Sequence, residues 1–183
     1  MKCLLFIALI CIFMMGNPNI LVNGVQYRDC LNGNGIARIT NFNLLPNPLS
    51  FSKNITASLS VQLDQDIPPG TAIISKVYKI TWFFGLKVIA PCINNVGSCT
   101  EDHCAFLKKY GQQLCPFFPK DRECKCPIKA GSYSGNEVTI PMPDLGAILK
   151  WFASGKFQIE MRLRDINSRK DLACFEFTGE IKP

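Results

Sequence analysis

Apolar and polar residues alternate most regularly between Ile55 and Asp64. Ile55, Ala57, Leu59, Val61 and Leu63 fall on one parity, and Thr56, Ser58, Ser60, Gln62 and Asp64 on the other. Period-two alternation is the signature of a strand with one buried and one wet face, as in an antiparallel sheet. The pattern recurs where Phe157, Ile159, Met161 and Leu163 alternate with Gln158, Glu160, Arg162 and Arg164. It returns from Leu172 to Ile181, with Phe175, Phe177 and Ile181 on one parity and Cys174 and Glu176 on the other. Shorter runs predict strands over Ile36–Leu45 and Glu137–Ile140. A longer run predicts a strand over Thr71–Phe84 in which Ile74, Tyr78, Ile80, Trp82 and Phe84 share a face interrupted by Lys76, and Leu86, Val88 and Ala90 resume it after Gly85. Turn signals at Asn32–Gly35, Pro46–Pro48, Pro68–Gly70 and Asn167–Ser168 separate these runs. Together they predict one all-β antiparallel sandwich, with Leu59, Val61, Ile80, Phe157, Ile159 and Phe175 among its inward residues. Cys174 falls on the outer parity, convenient for tying down the N-terminal segment at Cys30.

Three stretches break the alternation. Glu101–Tyr110 reads as one short helix, with Thr100 as N-cap, Glu101 and Asp102 in the first turn, Lys108 and Lys109 near the end, and Gly111 to stop it. His103, the sole histidine, is expected to be exposed on its first turn. Pro141–Gly155 places Leu145, Ile148, Leu149 and Phe152 at helical spacing behind Asp144. Trp151 lies roughly 110° from the centre of that stripe, beside Lys150, and Trp next to Lys is what a membrane interface favours. Phe83-Phe84-Gly85-Leu86 is a turn made of apolar residues. Turns usually favour polar ones, so this one is covered by other loops or touches lipid.

The N-terminus changes the compartment. Lys2 precedes an apolar run from Cys3 to Met15, too short for the roughly 20 residues a membrane span needs. Residues 1–24 read as a secretory signal peptide cleaved after Gly24, with Gly16 the other candidate, leaving one domain over residues 25–183. The mature chain is expected to be secreted, with a lysosomal destination among those open to it. Asn54-Ile55-Thr56 is then an acceptor for N-glycosylation. The formal charge of +6 is a mild bias without the basic runs of a nucleic-acid binder, and it suits loose attraction to anionic lipid surfaces.

Ten cysteines, less Cys3 and Cys11 in the signal, leave an even set, with Cys92, Cys99, Cys104, Cys115, Cys124 and Cys126 inside one window and Cys30 and Cys174 near the two ends. An even number behind a secretion signal reads as structural disulfides, although spacing alone permits about 105 pairings. A C-x-x-C redox pair is absent, and Cys124-Lys125-Cys126 with His103 has only loose zinc-ligand spacing. Neither a metal nor a cofactor is expected. Catalysis is not expected either. Gly131–Gly135 imitates a nucleophile elbow but has Tyr133 at its centre, and Asp64, Asp66, Asp144 and Glu160 sit in no glycosidase motif.

Several segments carry a family resemblance. They are GLKVIAPC at Gly85–Cys92, GSCT at Gly97–Thr100, the helix carrying Cys104, CKCP at Cys124–Pro127, KAGSY at Lys129–Tyr133, PDL at Pro143–Leu145, Trp151, SGKFQIE at Ser154–Glu160, and LAC at Leu172–Cys174. With these the chain resembles the ganglioside GM2 activators of the MD-2-related lipid-recognition superfamily over nearly its whole mature length. The resemblance implies a β-cup, an antiparallel sandwich opened around an apolar lipid cavity. It implies the pairs Cys30–Cys174, Cys92–Cys99, Cys104–Cys126 and Cys115–Cys124. It also implies a membrane-touching rim formed by Phe83, Phe84 and Leu86 on one loop and by Leu145, Ile148, Leu149, Trp151 and Phe152 on another. The implied function is non-enzymatic: lifting a glycosphingolipid from a membrane and presenting it to a β-hexosaminidase. The alternative on the same fold is a carrier or sensor of sterols, fatty acids, phospholipids or microbial lipids. Where the family has a tryptophan after the Gly-Leu of the first rim loop, this chain has Lys87.

Overall fold

The structure, a computed structural model, describes residues 24–50, 52–82, 84–93, 95–141 and 154–182. The alternating segments assemble into two sheets. In the larger, β1 (Gln26–Asp29), β10 (Asp171–Lys182), β9 (Gly155–Asp165), β5 (Thr71–Ile80) and β6 (Lys87–Ile89) are neighbours in that order, with β3 (Leu49–Ser50) beside β10 and β7 (Thr100–Asp102) beside β5. The smaller sheet is β2 (Ala37–Leu45), β4 (Ile55–Leu63) and β8 (Gly131–Ile140). All pairings are antiparallel except that of β3 with β10.

Residues directly opposite in an antiparallel pair share a face, so the register fixes what points inward. Phe157, Ile159, Met161 and Leu163 lie opposite Gly179, Phe177, Phe175 and Ala173 on one side and Lys79, Val77, Ser75 and Ile73 on the other. This corrects the expected facing of β5. Ile80 lies opposite Lys156, and Ile74 and Tyr78 lie opposite Arg162 and Gln158, all on the outer face. Both parities of Ala72–Ile80 carry apolar residues, so alternation alone cannot choose between them. The predicted strand to Phe84 also stops early. It ends at Ile80, and the Thr81 amide donates to the Leu86 carbonyl (2.9 Å) across a hairpin that carries Trp82 and Phe84.

The cleanest predicted strand has one irregularity. Ser58, expected on the wet face, is buried. The register slips there because Asn136 and Glu137 bulge out of β8, and Glu137 adopts a positive φ of 52°. The Ser58 hydroxyl fills the gap, donating to Asn136 Oδ1 (2.9 Å) and accepting from the Glu137 amide (3.0 Å).

The cysteine-rich insert caps one end of the sandwich. Thr100–Asp102, predicted as helix, instead pairs with Ile74, Ile73 and Ala72 as β7. The helix α1 therefore begins at His103 and runs to Lys109, capped by Asp102 Oδ1, which accepts from the Cys104 and Ala105 amides. A four-residue helix α2 (Gly111–Leu114) and a 3-10 turn (Cys115–Phe117) follow, in place of the single helix expected. Phe117 lies flat on Gly135 of β8, where an added Cβ would sit 2.6 Å from its ring. His103 is not exposed. It retains 2% of its surface because α1 presses its first turn against the start of β5, and its Nδ1 lies 2.9 Å from the Thr71 carbonyl.

The core lies beneath this cap. Ala37, Leu63, Ile67, Tyr133 and Ala173 form it, with Phe118, Ile128 and Leu163 packed against them. Four bridges secure the chain: Cys30–Cys174, Cys92–Cys99, Cys104–Cys126 and Cys115–Cys124. The first spans 144 residues and, in the chain-entropy account, contributes about 5 kcal/mol.

On the outer face of the larger sheet, Arg162 donates to Glu160 (2.7 Å) and Asp171 (2.5 Å), and Arg164 donates to the other oxygen of Asp171 (2.6 Å). The Arg164 bond, aided by Arg162, holds the Asp171 carboxyl below its ordinary value, and the Arg162 bond does the same for Glu160. A depressed carboxylate stabilises the fold above its unfolded pKa and loses that contribution as pH falls through the folded one. Asp171→Asn should therefore cost about 1 kcal/mol at neutral pH. In urea unfolding that deficit should shrink as pH falls below the ordinary carboxylate range and close once the native carboxylate is protonated as well.

Candidate functional site

The registers assign each loop to an end of the sandwich. At one end Leu63 meets Ala37 and Gly131, and Leu163 meets Ala173 and Ile73; this is the packed end under the cysteine cap. At the other, Ile55 pairs with Ile140, Ile80 with Lys156, and Gly155 with Ile181. The β5–β6 hairpin, the segment joining Pro141 to Ser154, and the connection from β2 to β4 all leave from that second end.

Along one long side the sheets are joined by aromatics. Phe42 of β2 lies 5.2 Å from Phe177 of β10 and edge-on to Tyr27 of β1 at 5.4 Å, and the Tyr27 hydroxyl donates to the Ile39 carbonyl (3.3 Å). Further in, the hydrocarbon faces do not close on each other. Phe42, Val61, Val77, Ile159, Met161 and Phe177 all point inward yet are only half-buried. Among the described residues, the largest fully buried side chains are His103, Thr71 and Cys174, none of them a large hydrocarbon. A sandwich closed on itself would bury Phe, Leu and Ile completely. This one packs at the capped end and leaves apolar surface facing an interior at the other.

The rim of that second end is apolar as well. Trp82 is 94% exposed, Phe84 83% and Leu86 60%. Phe84 and Gly85 both take positive φ, 55° and 63°, so a bulky residue holds a left-handed conformation that ordinarily costs about 1 kcal/mol or more. Val88, Ile89, Ile93 and Val96, in the strand and loop that follow, are each more than half exposed as well. Such a surface exceeds the scattered apolar residues a soluble protein tolerates. Lys79, opposite Phe157 on the inner face, places a charge at the mouth.

Of the rim residues named from sequence, the structure brings Phe84 and Leu86 together on the hairpin. Phe83, Leu145, Ile148, Leu149, Trp151 and Phe152 lie outside the described residues. Asn54 is exposed, one residue ahead of β4 at the same end. Sequence reasoning missed Phe42 and Tyr27, which lie in runs without clean alternation. The strand expected to resume after Gly85 forms as β6, which carries Val88 and is exposed along its whole length. His103 Nε2 lies 3.2 Å from Cys104 Sγ, and the Cys126 sulfur completes a trio of ligand-type atoms within 4.8 Å. Here the two sulfurs are bonded to each other and are not thiolates.

Residues 24–181 match the ML domain, the MD-2-related lipid-recognition fold. The chain belongs to the ML-domain family. As an ML-domain protein it is a lipid-binding protein with an antiparallel, disulfide-rich β-cup, and members of the family are lipid-binding, non-catalytic proteins. Among solved structures, it is similar to a Niemann-Pick type C2 protein from Japanese carpenter ant, at 14% identity over 86% of this chain and 99% of that one, with a TM-score of 0.45. No curated protein matches the sequence.

If the half-buried interior is a lipid cavity, truncating it should cost little stability and much binding. Phe177→Ala should lower unfolding stability by less than about 2 kcal/mol, against about 3–5 for a packed core Phe. Titration with a fluorescent fatty-acid analogue should show its affinity falling at least about tenfold. A loss of stability typical of a packed Phe would place Phe177 in a closed core.

Proposed function

We propose that this ML-domain protein docks on a membrane through its apolar rim, draws the acyl chains of a glycosphingolipid between its sheets, and presents the sugar to a soluble β-hexosaminidase. The observation that carries this reading is an interior in which, among the described residues, no large hydrocarbon is fully buried, beneath an exposed apolar rim. Burying hydrocarbon gains roughly 0.8 kcal/mol per methylene, so acyl chains satisfy the faces that the protein leaves half-covered. Trp82, Phe84 and Leu86 would enter the interfacial layer, where aromatic and apolar side chains are favoured. Lys79 and the net positive charge suit an anionic head group or an anionic membrane surface. On this reading residues 1–24 direct secretion, Asn54 carries a glycan, the destination includes the lysosome, and the chain activates an enzyme without catalysing a reaction itself.

The test is mass spectrometry of organic extracts of the purified protein after incubation with mixed-lipid vesicles that contain glycosphingolipids. Selective recovery of glycosphingolipid, followed by faster hexosaminidase turnover of that lipid, is the expected outcome. Recovery of sterol or phospholipid without glycosphingolipid would make the protein a general carrier. Recovery of no lipid would overturn the reading.

A further inference from the structure

The cysteine cap holds chemistry that lipid binding does not use. The sole histidine is buried against a disulfide: His103 Nε2 is 3.2 Å from Cys104 Sγ, whereas Nδ1 points at the Thr71 carbonyl at 2.9 Å. Nδ1 must carry a proton to make that second contact, so a further proton on Nε2 would be directed at the Cys104 sulfur. The Asp102 carboxylate, 3.9 Å from Nδ1, is the charged neighbour that would balance it. The other sulfur of this bridge, within 4.8 Å of the same imidazole, also borders a cleft. Cys126 lines a cleft of about 260 Å³ whose walls include Arg122, Lys125, Lys129, Phe118 and Tyr133, where Lys125 pairs with Glu123, Lys129 with Asp66 just outside, and Arg122 keeps the lining net positive.

We propose that Cys126 is a thiol-exchange site: an anionic low-molecular-weight thiol enters the basic cleft and attacks its sulfur, and Cys104 leaves under the hand of His103. The incoming thiolate forms a bond to Cys126 Sγ as the Cys104–Cys126 bond breaks. The electron pair of the broken bond goes to Cys104 Sγ, which takes its proton from His103 Nε2, and that proton is the one the entering thiol gave up on ionising. The products are a mixed disulfide on Cys126 and a thiol at Cys104, so the net co-reactant is one equivalent of thiol. The direction follows from the geometry. Exchange is faster when the departing sulfur is the better-stabilised thiolate, and a hydrogen-bond donor within reach supplies that stabilisation. Attack at Cys104 would instead send the electron pair to Cys126, whose sulfur is not within hydrogen-bond distance of the imidazole as that of Cys104 is. Cys115–Cys124 supplies a comparison: both of its cysteines are partly buried, like those of Cys104–Cys126, but no histidine adjoins them.

The experiment uses the purified chain with all four bridges intact, treated with reduced glutathione, quenched in acid, alkylated and mapped by mass spectrometry. The glutathione adduct should form on Cys126 with Cys104 alkylated, and this bridge should open at least about tenfold faster than Cys115–Cys124. His103→Gln, which can keep a donor toward the Thr71 carbonyl, should abolish that lead while leaving Cys92–Cys99 unchanged. Lys125→Gln, on an exposed side chain, should slow opening by glutathione two- to threefold, on the order expected for one surface charge, but not opening by uncharged 2-mercaptoethanol. An adduct on Cys104, equal opening of the two bridges, or equal slowing for both thiols would overturn the assignment. The adduct position is read in the unaltered chain and stands even if the histidine variant fails to fold.

Discussion

Each sheet of this molecule carries one hydrocarbon face, and water drives both faces to find cover. The two sheets cover each other most completely at the capped end, where Leu63, Tyr133 and Ala173 meet Phe118 and Ile128. Toward the rim the same faces run on: Phe42 reaches Phe177 along one side, yet Phe42, Met161 and Phe177 are left only half-buried. Everything else in the fold follows from this half-finished sandwich. The apolar surface left over is the site, and the structure must hold itself open around it.

Holding open costs burial, and the chain offsets that cost covalently. Cys30–Cys174 ties the N-terminal segment to β10, Cys92–Cys99 closes the loop ahead of β7, and two further bridges bind a helical insert over the packed end. The insert seals as well as staples: Phe117 lies on Gly135, and His103 is buried against Thr71. On the outer face the Arg162–Asp171–Arg164 network crosses from β9 to β10 with side chains that need no core. Stability is thus concentrated at one end and on the outside, which leaves the rim end free to present Trp82 and Phe84 to an apolar environment.

The fold was legible where one parity of a strand is hydrocarbon and the other is not. β4 and β9 meet that condition, and their inward faces are those the alternation gives. β5 does not: Ala72, Ile73, Ile74, Val77, Tyr78 and Ile80 are apolar on both parities, and only pairing with β9 decides that Ile73 and Val77 point in. The helix start was misplaced because Thr100–Asp102 has acceptable capping chemistry, but the open edge of β5 recruits it as a strand. Ser58 was misjudged because a bulge in a distant strand creates the hole it fills. The site was legible as apolar residues in a turn, Phe84 and Leu86, and not as the interior. A pattern of inward residues is the same for a closed core and an open cup, and only burial distinguishes them.

Isotope-edited NMR is the most direct check on an open interior, with labelled methyl groups on Met161, Ile159 and Val77 and a bound lipid carrying unlabelled acyl chains. An occupied cup predicts intermolecular NOEs from acyl methylenes to the Met161, Ile159 and Val77 methyls. NOEs confined to Leu86, Val88 and the outer surface, with those inward methyls silent, would contradict the account.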